Sequence, residues 1–197
     1  TQLYINIALV GTVSTGKSTL LNALFLEQFS SMKIKRTTMV PQIYRETRGT
    51  ENLKSAKEIN LQTSKINDRF IEESEKGKEM TEKECDEMSM SFYVKKIDYL
   101  NVLKRNVYFS IHDIPGLNDA RTKNVYFNYV NKNFENYDIV IFMIDIKSGL
   151  NTSDEMDILN MIIDNICKVK KETGKSIKLI AIANKCDDME LCDGELK

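Results

Sequence analysis

Residues 3–18 read LYINIALV followed by GTVSTGKS, and this stretch decides the fold. Leu3–Val10 is apolar and rich in β-branched residues, the composition of a buried strand. It stops at Gly11. From there Gly11-Thr12-Val13-Ser14-Thr15-Gly16-Lys17-Ser18 meets the pattern GxxxxGK[ST] at every fixed position. Over Lys17–Phe29 the period changes, and Leu20, Leu21, Leu24 and Phe25 share one face of a 3.6-residue repeat, so a helix opens directly out of the turn. Strand, side-chain-poor turn and helix in that order cradle a polyphosphate. Backbone N–H groups converge on it, and the positive end of the helix dipole faces it. Gly11, Val13, Ser14, Thr15, Gly16, Lys17, Ser18 and Thr19 are therefore the expected phosphate contacts. Lys17 adds a point charge for the β- and γ-phosphates, and the Ser18 hydroxyl is a ligand for Mg²⁺.

Outward from this loop, strands and helices alternate. Asp138–Ile144 (DIVIFMI) and Ser176–Ala183 (SIKLIAIA) are two further apolar strands. Between them Thr152 or Ser153 caps a helix whose apolar face is Met156, Leu159, Ile162, Ile163 and Ile166, ended by Gly174. Val125–Phe134 reads as helix and Gln42–Thr47 as a short strand. Ser30–Val40 is polar, basic and aperiodic, an exposed loop before Pro41. Ser91–Tyr99 and Asn106–His112 alternate as strands, joined as a hairpin through Leu100–Arg105. Thr50–Lys83 is dense in Lys, Glu, Asn and Ser. There Leu53, Ala56, Ile59, Ile66 and Phe70 mark one or two amphipathic helices with a solvated outer face. Continuous apolar strands alternating with amphipathic helices give an α/β fold, with a mostly parallel sheet covered by helices on both faces.

Composition limits the function classes. The 197 residues are 42% hydrophobic and 29% charged, enough for one domain with a sizeable core. Lys plus Arg (28) nearly balances Asp plus Glu (29), a net charge of -1, which argues against a broadly basic nucleic-acid-binding surface. No apolar run approaches the ~20 residues of a membrane helix, and none resembles a secretory signal. The four cysteines, Cys85, Cys167, Cys186 and Cys192, form no CxxC pair and read as reduced thiols of a cytoplasmic protein.

Two further motifs follow strands in order. Asp113-Ile114-Pro115-Gly116 (DxxG) ends the strand NVYFSIH, which aims the Asp113 carboxylate at the phosphate loop to hold Mg²⁺ through water. The Gly116 N–H is placed to bond the γ-phosphate and report its loss. Asn184-Lys185-Cys186-Asp187 (NKxD) follows the third apolar strand. The Asp187 carboxylate can accept from the ring N1–H and exocyclic amine of guanine, a pair adenine does not offer, so the motif favours GTP over ATP. Lys185 can pack its stem on the base, and Asn184 can tie this loop to the phosphate loop. On the first long loop, Thr38 is the preferred threonine to complete the Mg²⁺ shell and touch the γ-phosphate or the attacking water, with Thr37 as runner-up. Many GTPases orient that water with a glutamine after the DxxG glycine; Leu117 stands there and cannot. Ser14 is the local substitute, from its backbone or hydroxyl, with K⁺ or Na⁺ as a candidate second cofactor. Arg36 and Arg121 are candidate arginine fingers, though a solvated surface role is the simpler reading of both. His112 reads as a packed residue rather than a catalytic base.

GTVSTGKSTLLNALF, TTMVP, DIPGLNDA and NKCDD together resemble the GTPase domain of the dynamin-type large GTPases, in the translation-factor-related P-loop class. Thr38 and Asp113 lie 75 residues apart, an interval that a small Ras-like domain crosses in far fewer, and the helical stretch at about 50–83 looks like the insertion dynamins carry there. The resemblance implies a P-loop NTPase with a Ras-like GTPase core, and hydrolysis of GTP to GDP and phosphate with Mg²⁺. It also implies a nucleotide-dependent homodimer, and a role peripheral to a membrane through regions beyond this chain. The family too lacks the glutamine that Leu117 replaces and carries a serine at the Ser14 position. Residues 1–197 read as one such domain shortened after NKCD, since only ten residues follow Asp187. The alternatives are an Era-like or septin-like GTPase, or a GTP-loaded interaction module with little hydrolysis.

Overall fold

The run Ile7–Val10, buried throughout, forms the centre of the sheet. A computed structural model describes residues 3–29, 38–97 and 106–186, and the backbone of 191–192 and 195–196. In chain order the elements are β1 (Leu3–Gly11), α1 (Lys17–Phe25), β2 (Gln42–Thr47), α2 (Ala56–Glu75) and α3 (Glu82–Met88). They continue with β3 (Met90–Lys95), β4 (Val107–Asp113), α4 (Lys123–Asn133), β5 (Ile139–Asp145), α5 (Ser153–Thr173) and β6 (Lys178–Asn184). The six-stranded sheet runs β3-β2-β4-β1-β5-β6. β4, β1, β5 and β6 are mutually parallel, whereas β2 is antiparallel to β4 and parallel to β3. The sheet is thus mostly parallel, as the apolar runs imply. The carboxyl ends of four parallel strands share one rim, and the chain leaves β1 toward β2 on one side and β4 toward β5 on the other, the place where α/β sheets bind ligands.

Strand alternation sorts the two faces. Gln42 of β2 lies opposite Asp113 of β4, and Tyr44 opposite Ile111. Both pairs face α1: Tyr44 packs on Phe25 and Phe29, and Asp113 bonds Ser18. Ser110 and His112 face the other way, where the His112 ring meets Tyr137 edge-on, just after the turn Phe134–Asn136 that closes α4. Burial and the nearby Arg45 guanidinium pull His112 down to about 4, so it is a neutral packed residue, as its place on a strand suggested.

The structure departs from the sequence pattern in three places. The hairpin expected between β3 and β4 does not form. β2 lies between them, and Glu46, 3% exposed, carries the join past the end of the ladder by accepting from Phe109 N at 2.8 Å. Alternation reports that a strand is half buried, but not which strand lies beside it. The expected exposed loop at 30–40 is buried where it is described: Thr38, Met39 and Val40 are 7%, 3% and 0% exposed. The third departure is the face of α5. Of the two expected caps Thr152 is the one used, in a capping box with Glu155, and Gly174 closes the helix at φ 76°. The buried side chains, however, are Ile158, Met161, Ile162 and Val169, while Met156 and Ile163 are 41% and 43% exposed. Apolar residues cover more than one face of this helix. This rotation also places Glu155 on the buried side, held by Thr152 and by the Ser148 hydroxyl at 2.6 Å.

That rotation makes Ile162→Ala cost about 2–4 kcal/mol of unfolding free energy and Ile163→Ala less than about 1. Urea denaturation of the two variants measures both, and equal losses would contradict the observed face.

Candidate functional site

Four segments end at the carboxyl rim: the turn after β1, Asp113–Asn118 after β4, Asp145 at the end of β5, and Asn184–Cys186 after β6. The turn after β1 is held by its own side chains, with Thr15 Oγ1 donating to the Thr12 carbonyl at 3.0 Å. Lys17, 6% exposed at the first position of α1, folds back so that Nζ donates to the carbonyls of Gly11 (3.2 Å) and Thr12 (2.7 Å). Ser14 is exposed in a left-handed conformation, φ 63°. Thr19 is exposed on the first turn of α1.

Next to this turn lies a buried polar cluster. Ser18 Oγ donates to Asp113 Oδ2 at 2.7 Å and sits 3.2 Å from Thr38 Oγ1, which is itself 3.4 Å from the same carboxylate oxygen. Asp113 is fully buried. Burial raises its carboxyl pKa, against the opposing pull of the Ser18 bond, the Lys17 charge and the Thr38 bond. Its second oxygen, Oδ1, has no hydrogen-bonding partner among the described residues. The turn that follows is bonded to the phosphate loop from two sides. Leu117 N donates to Gly11 O at 3.2 Å, and Val13 N donates to Asn118 Oδ1 at 2.7 Å. Gly116 packs directly on Val13, whose Cα and N lie 2.7 Å from where a Cβ would stand. Only glycine fits there. The Leu117 side chain is 0% exposed and belongs to the core.

The loop after β6 is coupled to the same turn. Asn184 Nδ2 donates to Thr15 O at 2.9 Å, and a Cβ on Gly16 (φ 99°) would collide with that amide nitrogen. Lys185, also left-handed at φ 64°, places Nζ 2.5 Å from Asp145 Oδ2. The Lys185 bond holds the Asp145 carboxyl below its usual range. Asp187, Thr37 and Arg36 lie outside the described residues. Arg121 donates through Nη1 to Ser74 O at 2.8 Å, at the end of α2.

Residues 7–185, nearly the whole described sheet with its rim, match the sequence model of the dynamin family. The chain belongs to the dynamin family. An uncharacterized protein of Acanthamoeba polyphaga mimivirus is 26% identical over 199 residues, which cover 96% of this chain and 30% of that protein. The chain thus spans under a third of this relative's length. Among solved structures, Era in complex with MgGDPNP and a segment of 16S ribosomal RNA is 16% identical. It covers 93% of this chain and 52% of its own, with a TM-score of 0.46. A bacterial dynamin, solved as an oligomerised pair described as sensing and tethering membranes, is 17% identical. It covers 92% of this chain and 33% of its own, with a TM-score of 0.44.

In this dynamin-family chain the loop residues 11–19, Thr38, Asp113, Gly116, Asn184 and Lys185 meet at one rim. The donor set around Asp113 suits a hard divalent cation: two hydroxyls and one carboxylate, one of whose oxygens has no partner among the described residues. Motif spacing missed Asn118 and Asp145. Each lies just beyond a recognisable segment, Asn118 two residues after the DxxG glycine and Asp145 in ladder register with Asn184, and only that register marks the second.

A fully buried carboxylate with a raised pKa weakens the metal-free fold. Asp113→Asn, which keeps an acceptor for Ser18, is expected to raise the stability by about 1–2 kcal/mol in chelating buffer. Added Mg²⁺ is expected to stabilise the parent and not the variant; thermal melts with and without Mg²⁺ check both signs.

Proposed function

We propose that this chain binds GTP and hydrolyses it to GDP and phosphate. The observation that carries the reading is the meeting of Ser18, Thr38 and Asp113 within hydrogen-bonding distance beside the phosphate loop. In this reading the amides of residues 11–19 and Lys17 neutralise the polyphosphate, with Lys17 leaving the Gly11 and Thr12 carbonyls for the β- and γ-phosphates. Ser18, Thr38 and Asp113 would hold Mg²⁺, the two hydroxyls directly and the carboxylate through water, and the ion would supply charge neutralisation for the phosphates. The Gly116 N–H bonds the γ-phosphate from its seat on Val13.

Water attacks the γ-phosphorus in line, the new P–O bond replaces the bond to the β–γ bridging oxygen, and the water's proton leaves with the phosphate. No covalent intermediate on the protein is needed. Ser14, exposed on the outer side of the loop, positions that water from its backbone or hydroxyl, with K⁺ or Na⁺ beside it. Asn184 fixes the base loop to the phosphate loop, Lys185 packs its stem on the base while Asp145 anchors its amine, and Asp187 reads guanine. Family membership further supports a nucleotide-dependent homodimer across this rim and coupling to a membrane.

A second reading rests on Leu117. Its side chain is wholly buried and reaches no water at the rim, which favours a GTP-loaded interaction module with slow turnover. Phosphate release measured with and without K⁺ at rising protein concentration separates the two. Turnover that climbs with concentration supports the dimerising enzyme, and none at any concentration supports the module.

Lys17→Ala is expected to lower GTP affinity by at least about 10-fold, the loss of one charge-assisted phosphate contact. Calorimetry should also show GTP bound far more tightly than ATP. Unchanged affinity in the variant, or equal binding of the two nucleotides, would overturn the proposal.

A further inference from the structure

The helical insertion carries polar residues where its apolar stripe should be continuous. α2 opens with a capping box, Ser55 with Glu58, and buries Ile59, Thr63, Asn67 and Phe70 along one face. An asparagine on such a stripe costs desolvation unless its amide is used. Asn67 is used. It is 6% exposed, and its Oδ1 accepts from Met39 N at 2.9 Å. From the opposite side α4 supplies Tyr126, wholly buried, whose hydroxyl donates to Met39 O at 2.6 Å. The peptides on both sides of Met39 are therefore fixed by side chains of two different helices. Met39 directly follows Thr38. The end of α2 also accepts from Arg121, so one helix touches both the threonine segment and the segment after Gly116.

We infer that α2 and α4 form a two-sided clamp on the Met39 backbone, and that Asn67 and Tyr126 are positioning residues that seat Thr38 for the γ-phosphate and its metal. This deepens the proposed function and rests on its assignment of Thr38. The clamp preorganises the site: Thr38 Oγ1 lies within hydrogen-bonding distance of Ser18 and Asp113. Removing the Asn67 acceptor leaves a buried N–H unpaired, which the segment can relieve only by moving toward water and taking Thr38 with it. A diphosphate offers Thr38 no γ-phosphate to touch and meets it only through the metal, so it is far less sensitive to that movement than a triphosphate. The insertion thereby acquires a role in telling GTP from GDP.

The test measures binding of fluorescent GDP and of a fluorescent non-hydrolysable GTP analogue, with Mg²⁺, to the full chain and to Asn67→Leu, Asn67→Asp and Tyr126→Phe. Asn67→Leu is expected to weaken the GTP analogue about 5- to 100-fold and leave GDP within about twofold. Asn67→Asp, which keeps an acceptor oxygen, should recover most of the loss. Tyr126→Phe removes one hydroxyl from a buried ring and should act in the same direction, so it carries the test if Asn67→Leu does not fold. Equal weakening of both nucleotides marks a merely structural role and overturns the clamp, as does an unchanged or tighter analogue. If the parent chain binds neither nucleotide, the nucleotide reading itself fails and the clamp with it. A parent that distinguishes the two while every variant does so equally sinks the clamp alone.

Discussion

A carboxylate shut away from solvent needs a cation or a full set of donors, and among the described residues the donors of Asp113 are incomplete. Two hydroxyls converge on one of its oxygens and none on the other. The rest of the rim is arranged around that incomplete group. The phosphate loop supplies Ser18 and the Lys17 charge, β4 supplies the carboxylate itself, and the segment before β2 supplies Thr38. Under the proposed function, the stability given up at this point is what a bound metal and its phosphates would restore.

Close backbone approach transmits the arrangement. Gly16 meets the Asn184 amide and Gly116 meets Val13, at separations where no other side chain fits. The phosphate loop is thereby in contact with the loop after β6 on one side and with the turn after β4 on the other. A shift in any one of the three must move its neighbours, because packed segments of this kind change position together rather than bend. α2 and α4 extend the same coupling outward to Met39. α2 is thus hydrogen-bonded both to the segment after Thr38 and to the segment after Gly116.

Much of the site was legible because phosphate binding constrains local sequence. A turn stripped of side chains, a lysine and a hydroxyl must occupy consecutive positions between a strand and a helix, and Gly11–Ser18 shows them all. Asp113, Gly116 and Asn184 were legible for a related reason, since each stands at the end of an apolar strand whose direction is given by the alternation of strands and helices. Asn118, Asp145, Asn67 and Tyr126 were not. Each acts on a backbone group or side chain distant in sequence, and an asparagine on a helix or an aspartate after a strand reads alone as an ordinary cap or solvated residue. Thr38 stands between the two cases: its type suggested the role, but the aperiodic run around it suggested an exposed loop, and the burial of Met39 and Val40 comes from helices the loop itself cannot announce.

The sequence by itself determined the α/β class, the order of strands and helices, the phosphate loop and the family, because these depend on periodicity and on residues adjacent in the chain. Only the tertiary structure decided that β2 separates β3 from β4, that α5 turns Ile162 inward and Ile163 outward, and that α2 and α4 close on Met39. Those outcomes depend on which surfaces meet. A side chain's hydrophobicity sets whether it is buried, but its partner is chosen by long-range packing that no local pattern encodes.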